Sequence, residues 1–424
     1  MHHQITSLLT ASLIGFLGVD AVAGDLAPPA GPVVPTMKTL DQVEPRTPIG
    51  PDTTPGDATS VYRITAPGSY YLTGDVAGEA DKSGIVIDVS DVQIDLMGFT
   101  LRGVPGSQHG IFKTLNFANP QQNIRISNGA VTGWGLSGLY LADGADNLNQ
   151  HIERMTASNN GEYGILCDDH AMISNCIAEQ NGDQGIRAGA YSCIRDCTSR
   201  ENGDAGIWGA AGVQVRDCNA SSNGAEGIYC SSSGSVISCA SLLNIGDGIT
   251  ASEAVISMCT SRNNQGNGFV LNGSCSVATC NASFNFLDGF KAVNSNTIAN
   301  CSADNNFTNG FVVDRATSVT GCTAYTNSGS GILSLGFATI LNNTCDNNQF
   351  GIRTTANSSR IEGNTVLNNA TGISVSGASN LIIHNFCLGN TTSFNVTGTN
   401  FFGTVAGTSA AMNAATNSNI NVGG

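Results

Sequence analysis

The apolar positions of this chain recur at an interval far longer than a helical turn or a strand pleat. A glycine followed by an apolar residue stands at Gly164, Gly185, Gly206, Gly227, Gly248, Gly268, Gly289, Gly310, Gly331, Gly351 and Gly372, in steps of 20 or 21 residues. Gly110 and Gly138 are earlier, more widely spaced marks. Other positions keep the same register. An asparagine stands four residues before each glycine from Asn160 to Asn327, and again at Asn347 and Asn368. A cysteine stands nine before it in eight successive coils, Cys176 to Cys322, and Ile or Val stands twelve before it, Ile173 to Val319. Like residues stacked on like, ~4.8 Å apart, is the pattern of a parallel β-solenoid. The asparagines suit turns, because Asn tolerates the left-handed region and its amide can bond to the next Asn in the stack.

A leucine-rich repeat is the rival reading. Ile173-x-x-Cys176-x-Ala178-x-x-Asn181 has its spacing, but the core positions hold Cys, Ala and Ser rather than Leu. The second half of each coil, as in Gly268-Phe269-Val270-Leu271, alternates like a strand and lacks a 3.6-residue period.

From residue 84 to about 390 these coils resemble the right-handed parallel β-helix repeats of the pectate-lyase-like proteins, in their carbohydrate-binding and sugar-hydrolysis style. The stretches Ile64-Thr65-x-Pro67-Gly68-Ser69-Tyr70-Tyr71-Leu72 and Asp91-Val92-Gln93-Ile94-Asp95-Leu96 resemble the opening coils of secreted bacterial members. The resemblance implies an all-β, single-stranded right-handed β-helix. It does not fix a reaction, since such proteins include lyases, hydrolases, epimerases and adhesins. Asp168-Asp169 resembles the paired aspartates of polygalacturonases. Their preceding Asn-Thr-Asp element is missing, however, and Gln108-His109-Gly110 lies upstream of the pair, not downstream. No catalytic residue is carried over on that basis.

Only 12% of residues are charged, yet 41% are apolar, enough to fill a core. The net charge of −15 argues against nucleic acid. It would also repel an acidic polysaccharide unless a cation or a local basic patch intervened. Residues 1–24, with the apolar run Ser7 to Val19 and Ala21-Val22-Ala23, read as a signal peptide, although the n-region offers His2 and His3 but no Lys or Arg. No later run is long and apolar enough to span a bilayer. The expectation is a protein that is secreted, extracellular or on the cell surface, with the periplasm as an alternative. Eight of the eleven prolines crowd residues 25–58, a linker by composition. About thirteen coils should occupy residues 59–390, with a cap or tail over residues 391–424.

Fourteen cysteines in such a chain would ordinarily suggest disulfides. In-register neighbours in parallel strands stand ~4.8 Å apart, beyond the ~3.5–4.5 Å between Cβ atoms that a disulfide needs. The eight-coil ladder therefore reads as buried thiols filling space. Cys167 and Cys230, three after their glycines, also fall on an inward position.

Chemistry must then lie on an outward face. The residue two after each glycine points out, and the early coils place Tyr140, Arg187, Trp208 and Tyr229 there. Aromatic faces stack on sugar rings and Arg bonds hydroxyls or carboxylates, so this strip is the expected glycan site. Ordinary β-propensity is its bland explanation. The early coils also carry insertions, a usual sign of a binding face. Asp143 and Asp169 each lie five residues after a glycine of successive coils, with Asp168 and His170 alongside. Three such carboxylates need a cation, a shared proton or an Arg. Asp143, Asp168 and Asp169 are the expected Ca²⁺ ligands. Asp168, Asp169 and His170 are the expected catalytic groups. Solvated turn acids are the plain alternative. The functional expectation is a polysaccharide-binding β-helix protein, in its enzymatic form a lyase or glycoside hydrolase. The competing class is a non-catalytic structural or adhesive protein.

Overall fold

The computed structural model describes residues 44–115, 121–142, 149–407 and 419–424. The expected signal peptide, most of the expected linker, and Asp143 lie outside the described residues. The chain divides into residues 1–45 and a unit from Arg46 to Gly424, and the solenoid is the second of these.

One coil shows how the sequence builds it. Ile186–Ala188 forms a strand, and Tyr191 turns the chain at φ 57°. Cys193–Arg195 forms a second strand and Asp196 turns it at φ 54°. Thr198–Arg200 forms a third, and Glu201 turns it at φ 55°. The chain then returns to Ile207, which pairs in register with Ile186. Stacked coils give a parallel, right-handed solenoid with two sheets, one of 16 strands built from the Gly-apolar segments and one of 32 strands built from the other two segments of each coil. Among the described residues there is no helix. Thirteen glycine marks become 16 strands because Ser60–Ile64 and Ser83–Ile87 precede them and Thr392–Val396 follows.

The interior follows the ladders. Phe269, Phe290 and Phe311 are fully buried and stack at 4.6 and 4.8 Å. The eight ladder cysteines are buried, and all fourteen thiols are free. Most ladder thiols donate to the carbonyl two residues earlier, as Cys197 Sγ does to Arg195 O at 3.1 Å.

The asparagine ladder differs from its expected role in one respect. Asn181 Nδ2 donates to Asn202 Oδ1 at 2.9 Å, and Asn202 Nδ2 to Asn223 Oδ1 at 3.0 Å, as expected for stacked amides. These asparagines are buried, however, and the left-handed turn belongs to the residue before each, such as Gln180 or Glu201. Consequently Asn347 and Asn368 sit at left-handed corners, and Asn348 and Asn369 carry the ladder. Where the cysteines end, asparagine takes their place. Cys322 N donates to Asn343 Oδ1, and the stack continues through Asn364 and Asn385 to Asn421.

At the start, Thr47–Pro48 already pairs with Tyr70–Tyr71, inside the stretch expected as linker. At the end, Asn421–Gly423 pairs beside Phe386–Leu388 and covers the last coil.

Candidate functional site

The outward row of the 16-stranded sheet holds the four residues picked for glycan contact. Tyr140 pairs with Leu166, Leu166 with Arg187, Arg187 with Trp208, and Trp208 with Tyr229. All except the buried Leu166 are half-buried. The row is organised internally. The Arg187 guanidinium lies 4.5 Å from the Trp208 ring centre and 5.8 Å from that of Tyr163. Trp208 and Tyr229 stack at 5.7 Å with planes 9° apart. A depression of about 360 Å³ opens on this face, lined by Tyr140, Tyr163, Arg187, Trp208, Asp168 and Asp169 among others.

The acidic residues behave differently from one another. Asp168 is buried, and its Oδ2 accepts from Lys113 Nζ at 2.9 Å. Lys113 is itself fully buried, because it pairs in register with the inward-facing Ile87. Gln150, also fully buried, fixes the Asp168 backbone: its Oε1 accepts from Asp168 N at 3.0 Å while its Nε2 donates to Leu141 O at 2.8 Å. Asp169 Oδ1 accepts from Ala190 N at 2.6 Å. A Cβ added at Gly189 would come within 2.3 Å of that oxygen, so glycine is what lets this turn close. His170 is exposed at φ 58°, stacks on Tyr191 at 5.4 Å, and does not line the depression. Asp143, the third expected calcium ligand, is outside the described residues. Lys113 supplies a positive charge beside Asp168, which meets part of the need that led to a cation in the first place.

Two contributors escaped sequence reading. Lys113 stands three after Gly110, the same inward offset as Cys167 and Cys230, so its burial could have been read from the register. His109 extends the aromatic row, 5.1 Å from Phe112 and 4.8 Å from Tyr140. Its Nδ1 accepts from Ser137 N at 3.2 Å, which leaves the proton of the neutral ring on Nε2. Burial pushes its pKa down to about 4. Beside it lies a second depression of about 340 Å³ that also takes in Arg63 and Gln108.

No curated protein matches the sequence. Among solved structures, the A-module of mannuronan C-5 epimerase AlgE6 from Azotobacter vinelandii is 14% identical, with 79% of this chain and 91% of that one covered and a TM-score of 0.43. The periplasmic alginate epimerase AlgG is 11% identical over 88% of this chain and 80% of its own, with a TM-score of 0.30. The catalytic domain of a GH87 alpha-1,3-glucanase is 12% identical over 75% and 63%, with a TM-score of 0.34. A family model described as "Right handed beta helix region" matches residues 114–249, 247–391 and 289–422, and with the ladders and parallel sheets described above, this chain belongs to the right-handed β-helix family.

Proposed function

We propose that the outer face of the 16-stranded sheet binds an extracellular polysaccharide, with Asp168 and Asp169 as its acid–base groups. The observation that carries this reading is the single depression that gathers Tyr140, Arg187 and Trp208 with both aspartates. Half-buried aromatic rings offer flat apolar faces to sugars, and the guanidinium donates to ring hydroxyls or a uronate carboxylate. A carboxyl at the floor of such a groove serves a hydrolase as proton donor or water activator, and a lyase as base. Calcium enters as the ion that Asp143, Asp168 and Asp169 would share.

A glycan array read out by Trp208 fluorescence tests the binding. A bound chain should quench it, and Trp208→Ala should remove binding without altering the far-UV spectrum. Reducing-sugar release and the absorbance of unsaturated products then separate hydrolase from lyase, and Asp168→Asn should abolish either. Calcium should raise the melting temperature, and the same substitution should remove that rise. Binding without any product would favour the adhesive alternative, and no quenching by any glycan would refute the groove.

A further inference from the structure

A further polar pocket lies on the 32-stranded sheet, a different sheet from that of the aromatic row. It encloses about 250 Å³ and is lined by Arg46, Asp95, Arg125, Asn128, Glu153 and Arg154, with smaller groups between them. Three guanidinium groups face two carboxylates here, in a chain whose 32 acids outnumber its 17 Lys and Arg.

The acids do not use up the donors. Arg125 and Arg154 both bond Oε1 of the largely buried Glu153, at 2.6 and 2.8 Å. Arg154 Nε also bonds Asn128 Oδ1 at 2.6 Å, and Arg46 bonds Asp95 at 3.0 Å. A guanidinium has five N–H donors. Arg125 gives one of them to the protein and Arg154 gives two. His151 Nε2 and Ser174 Oγ are buried without a hydrogen-bond partner; His151, two residues before Glu153, holds Nε2 3.7 Å from Glu153 Oε2, and Ser174 pairs with Glu153 in register. Burial, with the charges of Arg125, Arg195 and Arg154, holds the His151 pKa down against the opposing pull of Glu153.

We infer that this pocket is an oxyanion site, taking a carboxylate or sulfate group carried on an acidic glycan. The net charge of −15 does not forbid it. At physiological ionic strength screening acts over ~8 Å, so a ligand group inside the pocket feels its three arginines and two carboxylates, in which the arginines are in excess, before the distant acids.

Isothermal titration of the full chain with a uronic-acid tetrasaccharide and with sodium sulfate, at matched ionic strength, tests the inference. Wild type should bind the tetrasaccharide saturably. Arg125→Gln and Arg154→Gln should each weaken that binding about tenfold or more, as expected for loss of a charge-assisted hydrogen bond. Trp208→Ala should leave this site's binding in place, which separates its fate from that of the aromatic groove. Saturable sulfate binding without tetrasaccharide binding would support the oxyanion site and assign it to a free anion. If Arg154→Gln fails to fold, Arg46→Gln serves instead. No saturable binding of either anion by wild type, or equal affinity in wild type and variants, would overturn the inference and leave a structural ion-pair network.

Discussion

At the scale of single residues, the groove shows how burial sets chemistry. His109 is kept neutral by desolvation, with a pKa of about 4 against an ordinary 6.5. Below pH 6.5 the unfolded chain takes up a proton there that the folded chain resists, so this contribution to stability is present above pH 6.5 and is lost as pH falls toward 4. Histidine 109→Gln should flatten that part of the stability curve, measured as urea midpoints between pH 4 and 7. Lys113 makes the complementary case. A buried ion pair gives little net stability, but removing one partner is expensive. Lys113→Met should cost about 3–5 kcal/mol by denaturant unfolding. The double variant Lys113→Met, Asp168→Leu should recover part of it. An unchanged midpoint for Lys113→Met would mean that the pair is open to water.

Elements here are held by ladders more than by strands, most of which are only three to five residues long. From Asn181 on, each ladder Asn accepts a backbone N–H and a side-chain N–H from the previous coil, as Asn202 Oδ1 does from Asn181 at 3.1 and 2.9 Å. Asn202→Ala would leave those donors buried without an acceptor, at about 1–3 kcal/mol for each unsatisfied group. The phenylalanine stack has the same logic in apolar form. Phenylalanine 290→Ala should cost about 3–5 kcal/mol, because its neighbours at 4.6 and 4.8 Å are themselves packed and cannot close the cavity. The thiol ladder gives a third measurement. Burial pushes the Cys387 thiol up to about 12, and the ladder cysteines are similarly enclosed. Apart from the half-buried Cys193, the thiols should therefore react slowly with a thiol reagent in the native protein, and all fourteen should be counted after denaturation. A denatured count well below fourteen would mean that disulfides exist.

For the molecule as a whole, each coil rests only on its neighbours, so the ends decide solubility. Asn421 closes the asparagine stack by accepting from Asn385 N at 3.0 Å, and Asn421–Gly423 pairs along the strand Phe386–Leu388. Truncation before residue 419 would bare that strand's hydrogen-bonding groups beside the exposed Phe386 and Leu388. The shortened chain should aggregate or melt at a lower temperature, as size-exclusion chromatography and thermal scans would show. A soluble monomer with the original melting temperature would mean that the preceding coils cap themselves.

What the sequence determined by itself was everything that depends on repetition. The spacing of Gly, Cys, Ile and Asn required parallel stacking, buried thiols, the phenylalanine column and the outward row of Tyr140, Arg187, Trp208 and Tyr229, because a solenoid converts position in a coil directly into position in space. It was ambiguous where two adjacent asparagines could hold one place, and Asn348 rather than Asn347 faces inward because only one of the pair can form the corner. Tertiary structure decided whatever crosses coils out of register. The insertions break the period, so nothing in the spacing told that Lys113 would reach Asp168, 55 residues away, or that Arg46 would meet Asp95. Those contacts depend on side-chain reach and on which polar groups must find partners once buried, and both the groove floor and the oxyanion pocket are built from them.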